Sequence, residues 1–504
     1  MIRTLFSHLF QGRKVTWYER HFMWIVLGGI VLYMVIAMAI GLQQSVWFDE
    51  AYSIMLAKQP AAQLVHLTAL DTHPPFYYLL LKAWATLFGW SEFALRSLSI
   101  TGAGLAVLFA SLTARRMFGA RIALLALPFI VLAPFLMRYG FEIRMYSIAA
   151  FIGMAATYVL VRAVQTKEGR EQWLMWGLYA VLVALGTYTL YYTVLLWLAH
   201  FIWLAWTARQ AKSSILHAPW LRSYLLSVLL FLPWLPAFVS QISNGALAAI
   251  SQPLTIDNLI GIVSFEFLYQ PSWQLNAVAS LLVVFIIVTL VVFSMRAFKK
   301  VPAKQRGYLG LLAMYVAVPI VVVAVVSLAR PMYVERYLAH VAIGGMLYVG
   351  VIVAISLQKA SRTMKIAAGV LVLLLVVGVI QLANVGNYNF QRLQRPMVKQ
   401  AALVPKCDAT SSVFAADPYV AIELAYYLPN CQIYFYSQTA SLKGGYAPLS
   451  DSPLHVSDSS KELASSRTIY FVYYDDQGLK MPAEHTQTSL SKFDALTVAT
   501  FSAE

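Results

Sequence analysis

Long apolar runs separated by short polar loops make up most of the chain as far as residue 385. A run of about twenty apolar residues crosses the hydrocarbon core of a bilayer as a helix, and about eleven runs come close to that length. They lie near residues 22–43, 93–113, 121–137, 145–164, 173–188, 190–207, 223–242, 275–295, 308–329, 337–357 and 366–385. The pattern predicts an α-helical, polytopic membrane protein.

The loops between these runs alternate between basic and non-basic. The basic stretches cover residues 3–20, 115–121, 162–170, 209–222, 296–306 and 359–365. Loops rich in Lys and Arg stay on the cytoplasmic side of a membrane. The N-terminus is therefore expected inside, and an odd number of spans then puts the C-terminus outside.

Composition changes this picture only by excluding other classes of protein. Of the 504 residues, 60% are hydrophobic and only 12% are charged, which is too little charge for a soluble surface. The net charge of +15 would suit nucleic acid, but the basic residues lie in short loops beside the apolar runs. We interpret them as topology signals and contacts to anionic lipids, in a plasma (inner) membrane protein without a nucleic-acid partner.

The polarity of the chain rises after the membrane domain, residues 1–391, and residues 392–504 are predicted to form a second domain. Strand-like segments alternate there with a helix that begins after Asp417, which is typical of a small α/β domain. The strand-like segments are residues 413–416, 432–436 and 468–474. Because this domain is expected outside the cytoplasm, Cys407 and Cys431 are expected to form a disulfide.

Two carboxylates, Asp49 and Glu50, follow directly on the first apolar run. They open the first outside loop, residues 44–92, in which Asp71 and His73 come next and a proline pair is expected to start an interfacial helix. Ionisable groups at the membrane edge cost free energy and mark functional sites by default. Asp49 and Glu50 are therefore catalytic candidates. Asp71 and His73 are supporting candidates, and a purely structural role for His73 stays open.

Two short loops that are expected outside carry arginines, although loops with Lys and Arg normally stay on the cytoplasmic side. One loop carries Arg138 and Arg144, and the other carries Arg330 and Arg336. An arginine at the outer membrane edge needs an anionic partner, and its planar guanidinium suits phosphate oxygens. The sequence predicts a phosphate site, and it leaves open that these arginines pair with glutamates of the same loops.

Carboxylates, arginines and apolar walls on one side of a membrane suit a lipid-phosphate substrate. A carboxylate takes the proton of an attacking hydroxyl or amine, and cations stabilise a departing phosphate. A sugar carried on polyprenyl phosphate has such a leaving group and needs no soluble nucleotide.

Three short motifs carry a resemblance to one enzyme family. They are Phe48-Asp49-Glu50-Ala51, His73-Pro74-Pro75-Phe76-Tyr77-Tyr78-Leu79-Leu80 and Val334-Glu335-Arg336-Tyr337-Leu338. Together they resemble the GT-C glycosyltransferases, in the branch that holds the protein O-mannosyltransferases and the aminoarabinose transferases of lipid A. The resemblance covers roughly residues 20–390, and either of the first two motifs alone is weak.

The resemblance implies a GT-C fold and inverting transfer of a sugar from a polyprenyl-phosphate donor on the extracytoplasmic face. It implies that Asp49 is the catalytic base or orients the acceptor, with Glu50 as its motif neighbour, and that outside arginines hold the donor phosphate. The acceptor stays open between a lipid, a glycan and a protein. No cofactor is expected to be required, although Asp49, Glu50, Asp71 and His73 offer an oxygen-rich site for a divalent metal.

Two further alternatives stay open at this point. Glu266, in an apolar outside stretch, is expected either to support the site or to pair with an arginine. A polytopic transporter or lipid flippase is the alternative function, since it too would carry charged groups within the membrane. The clustering of charge at the outer boundary, rather than at the bilayer midplane, favours the transferase.

Overall fold

The computed structural model describes most of the chain. It covers residues 16–216, 218–243, 251, 253, 255–385, 401–404, 407–416, 418–436, 447–450, 452–456, 463, 465–474, 483–493 and 496–503. The first basic residues of the chain, the domain boundary expected at residue 391 and the expected helix cap Asp417 lie outside the described residues.

Within the described residues, α-helices are the main elements of the first domain. In chain order they are α1 (Trp17–Gly41), α2 (Phe48–Lys58), α3 (Ala61–Leu70), α4 (Phe76–Phe88), α5 (Glu92–Phe118), α6 (Ala120–Val131), α7 (Pro134–Gly140), α8 (Tyr146–Gln165), α9 (Arg170–Thr189), α10 (Thr193–Gln210), α11 (Pro219–Phe231), α12 (Leu235–Ser243), α13 (Ile256–Leu268), α14 (Ala277–Lys300), α15 (Ala303–Ser327), α16 (Ala339–Ser356) and α17 (Arg362–Val385). Short 3-10 turns lie at Leu232–Trp234, Ser272–Gln274 and Glu335–Leu338.

Within the described residues, eight helices are long and apolar enough to cross a membrane, and counting the bent pair α6–α7 as one span makes nine. This pair bends by 66° at a break after which Pro134 starts the second helix. The expected multi-pass helical fold is confirmed. Helices α9 and α10 lie at the two remaining predicted positions but are not among the eight, so the count of eleven and the N-in orientation stay predictions.

The loop expected outside, residues 44–92, folds as three short helices, α2, α3 and α4, where the sequence indicated one. Helix α4 begins after Pro75, as expected, and runs to Phe88. Helix α2 was not expected, yet most of its side chains are buried, including both acids of its first turn. Tertiary packing rather than local sequence therefore makes α2 a helix, and it carries Asp49 into the interior.

The described residues of the C-terminal domain form a six-stranded sheet with strand order β3-β2-β1-β4-β6-β5. Its elements are β1 (Ser411–Ala415), α18 (Pro418–Tyr427), β2 (Gln432–Tyr436), α19 (Ala447–Ser450), β3 (His455–Val456), β4 (Thr468–Tyr474), β5 (His485–Phe493) and β6 (Leu496–Ala503). The first four strands pair in parallel, and β6 runs antiparallel to β4 and β5. The three predicted strands are present. The β5–β6 hairpin was not indicated, because β5 is polar and exposed along most of its length.

Helix α18 attaches this domain to the loop at residues 44–92. The Tyr419 ring packs on the Phe48 ring with centroids 4.4 Å apart. The Tyr427 hydroxyl accepts a hydrogen bond from the Val46 N–H at 2.7 Å and donates one to Glu92 Oε1 at 3.0 Å. These contacts lie directly before the acid pair, so the C-terminal domain covers the start of α2.

A disulfide joins Cys407 to Cys431, whose Cα atoms are 5.3 Å apart. Over a sequence separation of 24 residues, such a bond is worth about 3 kcal/mol by chain entropy. Reductant is therefore expected to lower the melting temperature of the wild type and to leave that of Cys407→Ser/Cys431→Ser unchanged. Peptide mass spectrometry that finds both thiols free in untreated protein would contradict the bond.

Candidate active site

Helix α2 presents two acids in its first turn. The N–H groups at a helix start lack helical partners and attract negative charge, which favours Asp49 and Glu50 at this place. Successive side chains on a helix point about 100° apart. The two carboxylates therefore meet different partners.

Both carboxylate oxygens of Glu50 accept hydrogen bonds from other groups of the protein. Its Oε1 and Oε2 accept from Arg96 Nη1 and Nη2 at 2.8 and 3.0 Å, and both residues are only 1% exposed. The N–H groups of Ile143 and Trp47 add bonds of 3.0 and 3.3 Å. Glu50 thus ties α2 to α5 and to the loop after α7. The expectation that Glu50 is catalytic does not fit this position, because both of its oxygens already bind the protein.

Asp49 faces a pair of arginines. Its Oδ2 lies 3.6 Å from Arg336 Nη2 and 3.9 Å from Arg144 Nε, and it makes no hydrogen bond within the described residues. Burial raises the pKa of Asp49, but Arg336 and Arg144 outweigh burial and hold the pKa below its usual value. Asp49 is therefore ionised at neutral pH and has an acceptor atom to offer a substrate hydroxyl.

Each of the two arginines has an N–H group that is free to bind a ligand. Arg144 Nη1 donates to Ser53 Oγ and to the Tyr78 hydroxyl, both at 3.2 Å, and these bonds fix the guanidinium. The Nε atoms of Arg144 and Arg336 are buried and have no hydrogen-bond partner in the described part of the chain. Buried donors without partners cost free energy. The pair is therefore suited to an anion with several oxygens, such as phosphate.

Asp71, Thr72 and His73 form a buried polar chain. His73 Nδ1 lies 2.8 Å from Thr72 Oγ1, which donates to Asp71 Oδ1 at 3.3 Å. Nδ1 therefore carries the proton, and Nε2 offers a lone pair that no described residue uses. Burial lowers the pKa of His73 and the interaction with Asp71 only partly opposes it, so the ring is neutral at pH 7.

Arg138 and Arg330 form no ion pair with Asp49 within the described residues. Arg138 Nη1 lies 3.4 Å from Glu142 Oε2, which is the pairing within the protein that the sequence left open. Arg330 is exposed at the edge of an apolar groove. Of the four arginines expected to hold phosphate, only the other two meet at Asp49.

The four side chains considered for a metal do not assemble into a metal site. Within the described residues, no three His, Cys, Asp or Glu side chains are placed to hold a metal ion. Glu50 is directed to Arg96, whereas Asp71 and His73 bond to the threonine between them.

An apolar groove of about 990 Å³ opens beside this polar cluster. Helices α9 to α12 form most of its wall, and the segment at residues 330–337 closes one end. Tyr337 joins the groove to the cluster, since its ring lies 5.3 Å from the His73 ring and 5.1 Å from the Tyr192 ring. The Tyr337 hydroxyl makes no hydrogen bond to any described residue. The groove therefore ends at unused polar atoms.

Glu266 lies at a different cavity. Together with Glu335 it lines a space of about 310 Å³. Burial, and secondly the charge of Glu335, raise the pKa of Glu266 to about 8. Glu335 faces this cavity, whereas the next residue, Arg336, lies beside Asp49. The turn that carries both residues therefore separates Glu266 from Asp49 and its arginines. Glu266 therefore does not contact Asp49, and its expected support of the donor or acceptor site stays a prediction.

Similar proteins are found by sequence profile and by fold. Residues 72–236 match the family described as dolichyl-phosphate-mannose-protein mannosyltransferase, and no curated protein sequence matches significantly. The crystal structure of ArnT from Cupriavidus metallidurans in the apo state aligns with a TM-score of 0.61 at 11% identity, over 95% of this chain and 97% of that one. ArnT bound to undecaprenyl phosphate aligns over the same shares, 95% and 97%, with a TM-score of 0.61 at 12% identity.

A third similar structure is the oligosaccharyltransferase of Archaeoglobus fulgidus tethered with an acceptor peptide. It aligns with a TM-score of 0.53 at 13% identity, over 82% of this chain and 64% of that one. The likeness thus extends from the matched profile segment to nearly the whole chain. This protein has the GT-C glycosyltransferase fold. The fold expected from the three motifs is confirmed.

Two residues of this GT-C site were not singled out from the sequence. Arg96 anchors Glu50, and its signal was a charge inside a predicted span, which is itself a mark of function. Tyr337 was part of a motif, but tyrosines are common at membrane interfaces, so nothing distinguished it. The roles of both residues depend on contacts with residues far away in the chain, which the sequence does not reveal.

Proposed function

We propose that this GT-C protein is an inverting glycosyltransferase that moves a sugar from polyprenyl phosphate to an acceptor at the extracytoplasmic face of the membrane. The observation that carries the proposal is Asp49 facing the guanidiniums of Arg144 and Arg336, the latter followed directly by Tyr337, which lines the apolar groove. A proton acceptor, a phosphate site and a lipid site are thus side by side.

The groove suits the isoprenoid chain of the donor. Its volume of about 990 Å³ is at the upper end of ordinary ligand sites, and most of its lining side chains are apolar. With the chain in the groove, the phosphate reaches the unused Nε–H groups of Arg144 and Arg336. The ArnT structure with undecaprenyl phosphate supports this class of ligand for the fold.

The transfer needs a proton acceptor beside the attacking atom. The acceptor's oxygen or nitrogen attacks the anomeric carbon, the bond from that carbon to the phosphate oxygen breaks, and polyprenyl phosphate leaves with the bonding electrons. Asp49 takes the proton of the acceptor. Arg144 and Arg336 stabilise the charge on the leaving phosphate, and attack from the opposite face inverts the anomeric centre.

Donor binding prepares Asp49 for this role. The arginines alone hold the pKa of Asp49 low, so the carboxylate is ionised but weakly basic. A phosphate between the same arginines shares their positive charge and shifts the pKa of Asp49 upward. The base therefore strengthens only when the donor is in place.

Two neighbouring groups position the reacting atoms. The Glu50–Arg96 pair fixes the start of α2 and with it the direction of Asp49. The Nε2 atom of His73 offers an acceptor for a hydroxyl of the sugar or of the acceptor. Neither group takes part in bond making.

Release of free polyprenyl phosphate tests the proposal. Full-length protein in lipid nanodiscs is incubated with radiolabelled polyprenyl-phosphate hexoses and pentoses, with and without bacterial lipid extract as acceptor. Cleavage of at least one donor is expected. A transporter or flippase would bind and move these lipids intact, so binding of every donor without cleavage would contradict the transferase.

Arg336→Ala is expected to raise the KM for the donor by about tenfold to a hundredfold, because a charge-assisted bond to phosphate is lost. The KM is measured in the same release assay. Arg162→Ala, which breaks a partly exposed pair with Glu171, is the control and should leave the KM unchanged. An unaltered donor KM in Arg336→Ala would move the phosphate site elsewhere.

A further inference from the structure

The turn at Glu335–Leu338 stands between two cavities. The donor groove lies on one side, with Met332 and Tyr337 in its lining. The second cavity, of about 310 Å³, lies on the other side and is lined by Glu335, Leu338 and side chains of α13 to α16. If the donor chain fills the groove, the second cavity is open to another substrate.

The second cavity has walls made by membrane-spanning helices. Leu290, Val316 and Met346 belong to α14, α15 and α16, three of the helices long enough to cross a membrane. A peptide against such walls would leave backbone N–H and C=O groups unpaired, which is costly. An alkyl chain has no polar atoms to satisfy, and the volume of about 310 Å³ is that of a small ligand site.

The polar lining of this cavity consists mainly of two carboxyls. Glu335 Oε1 accepts a hydrogen bond from the Tyr139 hydroxyl at 3.3 Å. Glu266 Oε2 is buried and has no hydrogen-bond partner among the described residues. Since the pKa of Glu266 is raised to about 8 by burial and then by Glu335, its carboxyl is protonated at pH 7. A protonated carboxyl both donates and accepts, which matches a hydroxyl group.

The acidic end of the cavity is adjacent to the reaction site. Glu335 and Arg336 are consecutive, and Arg336 Nη2 lies 3.6 Å from Asp49 Oδ2. A head group with several hydroxyls that binds Glu335 is therefore one residue away from the groups that surround the proposed base.

We propose that this second cavity binds the alkyl chain of a lipid with a hydroxylated head group, that the head group hydrogen-bonds to Glu266 and Glu335, and that this lipid is the acceptor. The identification as acceptor rests on the proposed function. The binding site itself does not.

Photolabelling in nanodiscs tests the cavity with the full-length protein. The probe is n-dodecyl β-glucoside with a diazirine in its alkyl chain, and labelled peptides are mapped by mass spectrometry. Label is expected on residues 262–267 and 313–320. It should fall roughly tenfold in Ala317→Phe, whose added ring fills the space. Ala317 is exposed in the cavity lining; Val288→Phe, on the exposed side of α14, is the matched control and should label like the wild type.

A second probe tests the head group. The same alkyl chain with a sulfate in place of glucose is expected to label the cavity about fivefold less, since it offers no hydroxyl to the carboxyls. Glu266→Ala should remove this preference while leaving the label from the alkyl chain. Equal labelling of the wild type by both probes would show a non-specific lipid site and overturn the proposal.

Transfer assays separate this proposal from the proposed function. With a cleavable donor and the glucoside as acceptor, Ala317→Phe should raise the KM for the glucoside and leave the KM for the donor unchanged. An unchanged glucoside KM would refute the acceptor site while leaving the transferase intact. Specific labelling in a protein that cleaves no donor would refute the transferase and keep the lipid site.

Discussion

Asp49→Asn is expected to lower kcat for sugar transfer by about a thousandfold, within the range for loss of a general base. Asparagine has nearly the same shape but cannot take a proton. It also removes the negative charge that faces Arg144 and Arg336, so donor phosphate meets less competition there. The KM for the donor is therefore expected to stay constant or fall while kcat drops.

The measurement is kcat and donor KM from release of polyprenyl phosphate, with melting temperature and gel-filtration profile as controls of folding. Asp257→Asn, the same change at an exposed acid of α13, serves as the matched control and should retain most turnover. Turnover of Asp49→Asn within a few-fold of wild type would exclude Asp49 as the base.

Arg96→Met is expected to destabilise the protein by about 3–5 kcal/mol, because Glu50 is left as an uncompensated buried charge. Both side chains are 1% exposed, so water cannot replace the lost partner. The double variant Glu50→Gln/Arg96→Met removes both charges. It keeps an acceptor oxygen for the Ile143 N–H, and it should recover much of the stability.

Melting temperature in nanodiscs and the yield of monodisperse protein measure this effect. Arg115→Met, which breaks a partly exposed pair with Glu19, is the control and should change little. The double variant also tests the role given to Glu50. If it folds but does not turn over at all, Glu50 belongs to the chemistry and not only to the positioning of α2.

The membrane part of the fold follows from local sequence, because the length and apolarity of a span are properties of one continuous segment. Helices α2 and α3 do not follow in this way. Both are short. Helix α2 owes its form to burial under α18 and against α4, and α3 packs mainly on α12. The β5–β6 hairpin was missed for a related reason, since an exposed strand has no apolar alternation to reveal it.

The part of the site that the sequence could predict consists of charged residues at positions where membrane proteins rarely carry charge. Asp49, Arg144 and Arg336 each break a membrane rule in the sequence, and the structure brings them together from three distant segments. The family resemblance already favoured Asp49 as the base, but the residue pattern alone did not show what Glu50 does, because adjacent residues on a helix point in different directions. Only the partner of Glu50 in a distant helix, Arg96, assigns the two acids different tasks.

The location of the donor phosphate tests the central claim most directly. A cryo-EM structure of the full-length protein with bound polyprenyl phosphate measures it. We expect phosphate oxygens within about 3 Å of the guanidiniums of Arg144 and Arg336, next to Asp49, with the isoprenoid chain in the groove of α9 to α12. A phosphate held at Arg138 or on another surface, with Asp49 still paired to both arginines, would rule out the proposed donor site.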